Sequence, residues 1–388
     1  EEIGAPMTLV IGLTNIDQCK KVNERVRGLK MYPDVFSHNG KPDVILSEVE
    51  PLGFKLVTAH CLETGAMRGM VEYGIENCRN ENTLYSQEQG MGDKIPMTRD
   101  PFGKMKWIEM ENEYIKTQVL PALGGKILRG FDKVGEYDFI YYNEVVKPAL
   151  VGLAGPWISG GIEFNWPQHH RPTTFMPLEA TVQENKDGSK TVWTGEVEPF
   201  GRMKGMAGIT LDKGRSYIKA KVRLYNRTAL PQVFMWWANL AVPVNNGYRT
   251  VFPPDCEWVN DHDRRAVLEW PIAKGVYKTA RPYNFGKGTD LSHYSAVKVP
   301  SSYLISQGQS DMDFVSGYDT GLKKGIATVA NHHISPGKKM WHWGIGDFGD
   351  MWCSNLTDKH GPYIELMTGV YTDNQPEFTW IAPYETRE

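Results

Sequence analysis

Two short stretches concentrate side chains capable of acid–base chemistry. The first, GPWISGGIEFNWPQHHRP, runs from Gly155 to Pro172 and gathers Trp157, Glu163, Asn165, Trp166, His169, His170 and Arg171 around a Gly-Gly pair. Successive side chains on an extended chain alternate between faces. Glu163 and Asn165 therefore project together, while Ile162 and Phe164 project the other way. A carboxylate beside an amide, flanked by indoles, makes a polar patch with an aromatic rim. Pro167 cannot donate to a strand ladder and ends the run, which leaves His169, His170 and Arg171 on a loop or strand edge. Adjacent residues point apart, so at most one of the two histidines aims where Glu163 does.

The second stretch, GPYIELMTGVYTDNQPEFTWIAPYE, runs from Gly361 to Glu385 and puts Tyr363, Glu365 and Met367 on one face of a strand. A carboxylate inside an apolar run is costly to bury without partners. Glu365 is either a salt-bridged structural residue or an acid turned toward a cleft.

Metal chemistry finds little footing. The pairs His169-His170 and His332-His333 are adjacent rather than spaced i, i+2 or i, i+4, and adjacent histidines rarely chelate one ion together. The five cysteines are scattered, odd in number and without CxxC spacing, which argues against a zinc framework. No metal and no cofactor is expected. A net charge of −3, from 43 basic and 46 acidic residues, leaves no footprint for nucleic acid or an anionic membrane. No apolar run approaches the roughly 20 residues of a membrane span. The first residues lack a basic segment followed by an apolar stretch, so no signal peptide is legible and the compartment stays open.

The elements that must carry these residues read as strands. Aromatics make up 11% of the chain beside 39 Gly and 24 Pro, the profile of sheets joined by tight turns. From Lys104 onward, KMKWIEMENEYIKTQVLP reads as one alternating run, followed by GGKILRGFDK, YDFIYYNEVV and TVWTGEV. AGITLDKGRSYIKAKVRLYN turns at its DKG as a hairpin, and QVFMWWANLAVPV, GIATVANHH, KKMWHWGIG and YIELMTGVYT continue the series. Pro336 to Lys339 reads as a turn with solvated lysines. No segment sustains a long helical period, so residues 104–388 are expected to form an all-β sandwich. Residues 1–103 are less regular. NIDQCKKVNERVRGLKMY is expected to be a short helix capped by Asn15 or Asp17, and DVILSEV and FKLVTAHCL to be strands.

The motifs ENEYIKTQVLPALGGKI, WISGGIEFNWPQHH, WWANLAVPV, SGYDTGLKKGIATVANHH and GPYIELMTGVYTDNQPEF, in that order, resemble the galactose-mutarotase-like (aldose 1-epimerase-like) superfamily. More closely, they resemble a bacterial family of unknown function often fused to tetratricopeptide repeats. The resemblance runs from about Trp107 to the C-terminus. It implies a super-sandwich of large antiparallel sheets with a carbohydrate site on one face. It also places Glu365 at the position of the mutarotase general base. The mutarotase acid is a histidine, but the matching segment here is WWANLAVP, with Asn239 or Ala238 at that position. Another histidine, such as His169, His170 or His332, would have to serve.

The expected ligand is a hexose-type sugar or oligosaccharide. Glu163 and Glu365 facing one sugar would suit glycoside cleavage, with one protonating the leaving oxygen and the other activating water or attacking. Trp157, Asn165, Trp166, Arg171, Trp236, Trp237, Asn239, His332 and Tyr363 are the expected contacts. Epimerase chemistry and a non-catalytic sugar-binding module are the alternatives. Paired carboxylates separate an enzyme from a module.

Overall fold

The computed structural model describes the strands Gly28–Met31 and Leu56–Ala59 and residues 107–388, apart from 144, 147, 151–155, 168–169, 172, 175, 200, 263–265, 278–282, 306–308, 358 and 371–378. Its centre is an eleven-stranded antiparallel sheet. Across that sheet the order is Ala266–Glu269, Trp258–Asp261, Ser301–Ile305, Gly337–His342, Tyr363–Val370, Trp236–Pro243, Ile162–Asn165, Lys126–Asp132, Ile115–Leu120 and Ile108–Glu111. Tyr137–Asp138 pairs alongside Lys126–Asp132. A second, five-stranded sheet joins Glu179–Glu184, Lys190–Val197, Lys204–Thr210, Lys219–Tyr225 and Thr386–Arg387.

One face of the large sheet packs on the five-stranded sheet. Phe164, Leu240, Val242, Ile364 and Leu366 from the first meet Val192, Ala207 and Ile209 from the second in a single apolar core. Because strand side chains alternate, the intervening residues Glu163, Asn165, Asn239, Glu365 and Met367 lie on the outer face of the large sheet. The all-β sandwich expected from the alternation is the observed architecture, and the chemistry-bearing residues sit on the face turned away from its core. Among the described residues no helix is long and apolar enough to cross a membrane.

Local expectations needed correction where polar side chains redirect the backbone. The run from Lys104 to Pro121 is two strands, not one. Asn112 Oδ1 accepts from the backbone N–H groups of Tyr114 (2.9 Å) and Ile115 (2.8 Å), folding the chain into a hairpin. QVFMWWANLAVPV is likewise divided: Gln232–Phe234 pairs with Thr379–Ile381, while Trp236–Pro243 enters the large sheet. Within NIDQCKKVNERVRGLKMY, Gly28–Met31 is a strand paired in parallel with Leu56–Ala59, against the expected helix; the proposed caps and DVILSEV lie outside the described residues. The helix Asp347–Leu356, bridging Gly337–His342 and Tyr363–Val370, had no sequence signal. It spans ten residues and buries Trp352, Asn355 and Leu356 while exposing Ser354 between them, too short a pattern to show a period.

Candidate functional site

Strand register assembles the site. Directly opposed residues in antiparallel strands share a face. Asn239 stands opposite Glu163 on one side and Met367 on the other, and Met367 stands opposite Lys339. The neighbouring row runs from Ala241 to Glu365, then Trp341, then Ser302. Asn165 and Trp237 face each other one step the other way. Strands about 4.8 Å apart with a repeat of about 6.8 Å per two residues put the Glu163 and Glu365 backbones roughly 12 Å apart, so the two carboxyl side chains share one patch.

The Gly-Gly pair sets the entry of the Glu163 strand. Gly160 and Gly161 adopt φ of +81° and +73°, conformations that L side chains rarely take. A Cβ on Gly161 would stand 2.3 Å from the Ile127 carbonyl oxygen. Gly161→Ala is expected to lower stability by about 1–3 kcal/mol and to shift Glu163 out of register, read from the denaturation midpoint. An unchanged midpoint would show that the turn relaxes freely.

Glu163 is buried and held by three side chains. Trp157 Nε1 donates to Oε2 at 3.0 Å, Thr174 Oγ1 donates to Oε1 at 2.5 Å, and His170 Nδ1 lies 3.0 Å from Oε2. Burial alone would raise its pKa. The charge and hydrogen bond of His170, then the Lys126 ammonium and Thr174, instead hold the carboxyl well below its usual range. Lys126 is buried beside it, its Nζ donating to the carbonyls of Ile158 (3.0 Å) and Ser159 (3.4 Å). Burial brings this ammonium down to about 8, against the pull of Glu163 and Glu365.

Glu365 has the opposite character. Burial pushes it up to about 7, reinforced by the negative Glu163 and opposed by His170, a hydrogen bond from Asn239, and Lys339. Lys339 is itself buried, its Nζ 5.0 Å from the centre of the Trp237 ring, and burial lowers it to about 7 against the attraction of Glu365. Two carboxylates in one patch are thus driven apart: one is a fixed anion, and the other changes charge near neutrality.

The structure brings together Glu163, His170, Asn165, Trp157, Trp237, Asn239, Glu365 and Tyr363, the last buried and stacked on Tyr141 at 4.6 Å. It does not bring the remaining expected contacts to the patch. Trp166 points into the sandwich and packs with Met203, Leu224, Phe234 and Ile381, because it falls on the opposite alternation phase from Glu163. Trp236 faces the core for the same reason. Arg171 is buried in an ion pair with Glu196 (3.2 Å) and donates to the Gly124 carbonyl (2.6 Å), so it braces the loop rather than reaching toward a ligand. Its backbone N–H fixes Asn165 by donating to Oδ1 at 2.8 Å. His332 is engaged with Asp313 through both its backbone N–H (2.7 Å) and Nδ1 (2.8 Å). His169 lies outside the described residues.

Several residues were missed. The lysines at 338 and 339 are not solvated: Gly337 already starts a strand, Lys338 donates to the Ser335 carbonyl at 2.9 Å, and Lys339 joins the site. The alternation of KKMWHW carried that signal, since it phases Lys339 with Trp341. Lys126 and Thr174 had none, because their approach depends on tertiary folding. Among the described residues no three or more His, Cys, Asp or Glu side chains are grouped to hold a metal ion.

Fold and site together define an all-β protein with a buried patch of ionisable side chains on the outer face of its large sheet. The chain belongs to the DUF5107 family, a domain of unknown function whose model matches residues 96–386. Among solved structures, it is similar to a TPR-domain containing protein from Parabacteroides distasonis at 23% identity and a TM-score of 0.63. That likeness covers 72% of this chain and 45% of the other, so this chain spans less than half the length of that relative. Slr1438 from Synechocystis matches with 11% identity and a TM-score of 0.50, over 73% of this chain and 93% of its own. A galactose mutarotase-like protein from Lactobacillus casei matches at 11% identity and a TM-score of 0.46, over 73% and 97% of the two chains. At these identities the likeness concerns the fold.

Proposed function

We propose that the outer-face patch binds a carbohydrate and transfers protons at its anomeric centre, interconverting the two anomers. The observation that supports this most is the division of labour between the carboxylates. Both Glu163 oxygens are occupied, by Trp157 and His170 on one side and Thr174 on the other, and the group is held ionised. It is poorly suited to be the protonated acid or the nucleophile of a glycosidase, which needs two available carboxyl groups. It is well suited to orient and charge His170, as a buried carboxylate does for a catalytic imidazole.

His170 and Glu365 then form the working pair. Glu365 takes the proton of the anomeric hydroxyl while His170, through the ring nitrogen turned away from Glu163, gives a proton to the ring oxygen. The bond between C1 and the ring oxygen breaks, leaving an open-chain aldehyde. Rotation about the C1–C2 bond exposes the other carbonyl face, and the reverse transfers close the ring as the other anomer. This gives His170 the acid role that the sequence left to a histidine other than the one at the Asn239 position, and it accounts for Asn239, whose amide bonds Glu365 instead.

The test is anomer exchange of glucose and galactose, followed by NMR or polarimetry with the full chain. Catalysed exchange supports the assignment; release of free sugar from aryl glycosides without exchange replaces it with hydrolysis. The pH dependence has a defined sign. Glu365 works as a base only when ionised, and burial raises its pKa to about 7, so the rate is expected to climb as pH rises through that value. A rate that falls steadily from pH 5 to 8 would remove Glu365 from the base role.

A further inference from the structure

The patch does not end at Glu365. Its row continues over the next two strands to Trp341 and then Ser302, which at about 4.8 Å per strand extends the same face by roughly 10 Å. Both residues carry a buried polar atom, Trp341 Nε1 and Ser302 Oγ, with no hydrogen-bond partner among the described residues. Ser302 is 1% exposed. On the other side of Glu365, Asn165 Nδ2 and Asn239 Oδ1 are in the same condition. Each buried unpaired group is destabilising, and unmatched groups on one face complement a ligand that supplies their partners.

Trp341 adds the apolar half of such a contact. Its ring is half-buried and held edge-on by Trp343, with centroids 5.2 Å apart and planes at 83°. Met235, Trp237, Leu304 and Met367 pack into one apolar cluster beside it. A part-exposed indole on an apolar floor, flanked by an unpaired donor and a hydroxyl, matches a pyranose ring, which offers C–H faces and a girdle of hydroxyls.

We infer that Trp341 and Ser302 form a second sugar position, and that the ligand is a di- or oligosaccharide whose reducing ring lies between Asn165, Asn239 and Glu365. This rests on the carbohydrate assignment above and names its substrate class. A single hexose fills the first position and leaves Trp341 Nε1 and Ser302 Oγ unmatched; a second ring pairs both.

The experiment is calorimetric titration of the full chain with glucose and galactose, and with maltose, cellobiose and lactose. At least one disaccharide is expected to bind about tenfold more tightly than its reducing-end monosaccharide. Trp341→Ala is expected to erase that advantage while changing monosaccharide affinity less than twofold. Trp341→Phe and Ser302→Ala, milder changes should the first variant fail to fold, are each expected to lose part of it. Equal affinities for mono- and disaccharides, or equal losses for both in the variants, would overturn the second position and leave the first intact. A disaccharide advantage without anomer exchange would keep this inference and sink the catalytic one. Binding of no sugar in the panel would sink both.

Discussion

Glu365→Gln is expected to slow anomer exchange by about a thousandfold while leaving sugar affinity within a few-fold of the parent. The substitution preserves volume and the capacity to meet the Asn239 amide, but removes the carboxylate that burial, above all, raises to about 7 and that is assigned to accept the hydroxyl proton. Folding should survive, since burial already favours the neutral form of this carboxyl. The rise in rate through pH 7 should vanish with it, so that residual exchange becomes flat in that window. Steady-state exchange rates and titration calorimetry on the same preparation separate the outcomes. A variant that folds and binds sugar but still turns over at the parental rate would show that Glu365 is structural.

The second large effect concerns stability. Glu163→Ala leaves Lys126 and His170 in the interior without their counter-charge, and breaking a buried pair in this way is destabilising by roughly 3–5 kcal/mol. It also frees the Trp157 and Thr174 donors. Urea denaturation is the direct measurement. The double change Glu163→Gln with Lys126→Met should recover part of the loss, because removing both charges removes the uncompensated one. If the double variant is no more stable than Glu163→Gln alone, the two charges are not coupled. Exchange should stay slow in both, as His170 has lost the carboxylate that orients it.

The two carboxylates were legible in the sequence because alternation alone fixes a face, and their neighbours in the same strand came with them. Asn165 beside Glu163 and Tyr363 beside Glu365 required nothing beyond a period of two. The same rule, applied strictly, would have turned Trp166 and Trp236 toward the core; expecting a ring on the site because it neighbours a site residue ignores the phase of the strand. At most one of the adjacent histidines was expected to reach Glu163; His170 reaches it, and His169 lies outside the described residues. What alternation could not reveal is which strands become neighbours. Lys126 and Lys339 enter from different elements far apart in the chain, and they meet the carboxylates only once the sheet order places their strands on either side. The division of Glu163 and Glu365 into fixed anion and titrating acid is equally invisible beforehand, since it arises from the Trp157, Thr174 and His170 donors converging on one carboxylate and not the other.

The tryptophans around the patch give the protein a built-in optical reporter. Trp157 lies 5.3 Å and Trp237 6.3 Å, centre to centre, from the His170 ring, and Trp343 connects Trp157, Trp341 and Trp352 within 6.1 Å. An imidazolium close to an indole quenches its emission, and excitation migrates readily among indoles at these separations. Protonation of His170, or a sugar ring laid over Trp341, should therefore alter the intrinsic fluorescence of the whole cluster, although the chain carries 12 tryptophans. The site can announce its own occupancy without label or substrate analogue.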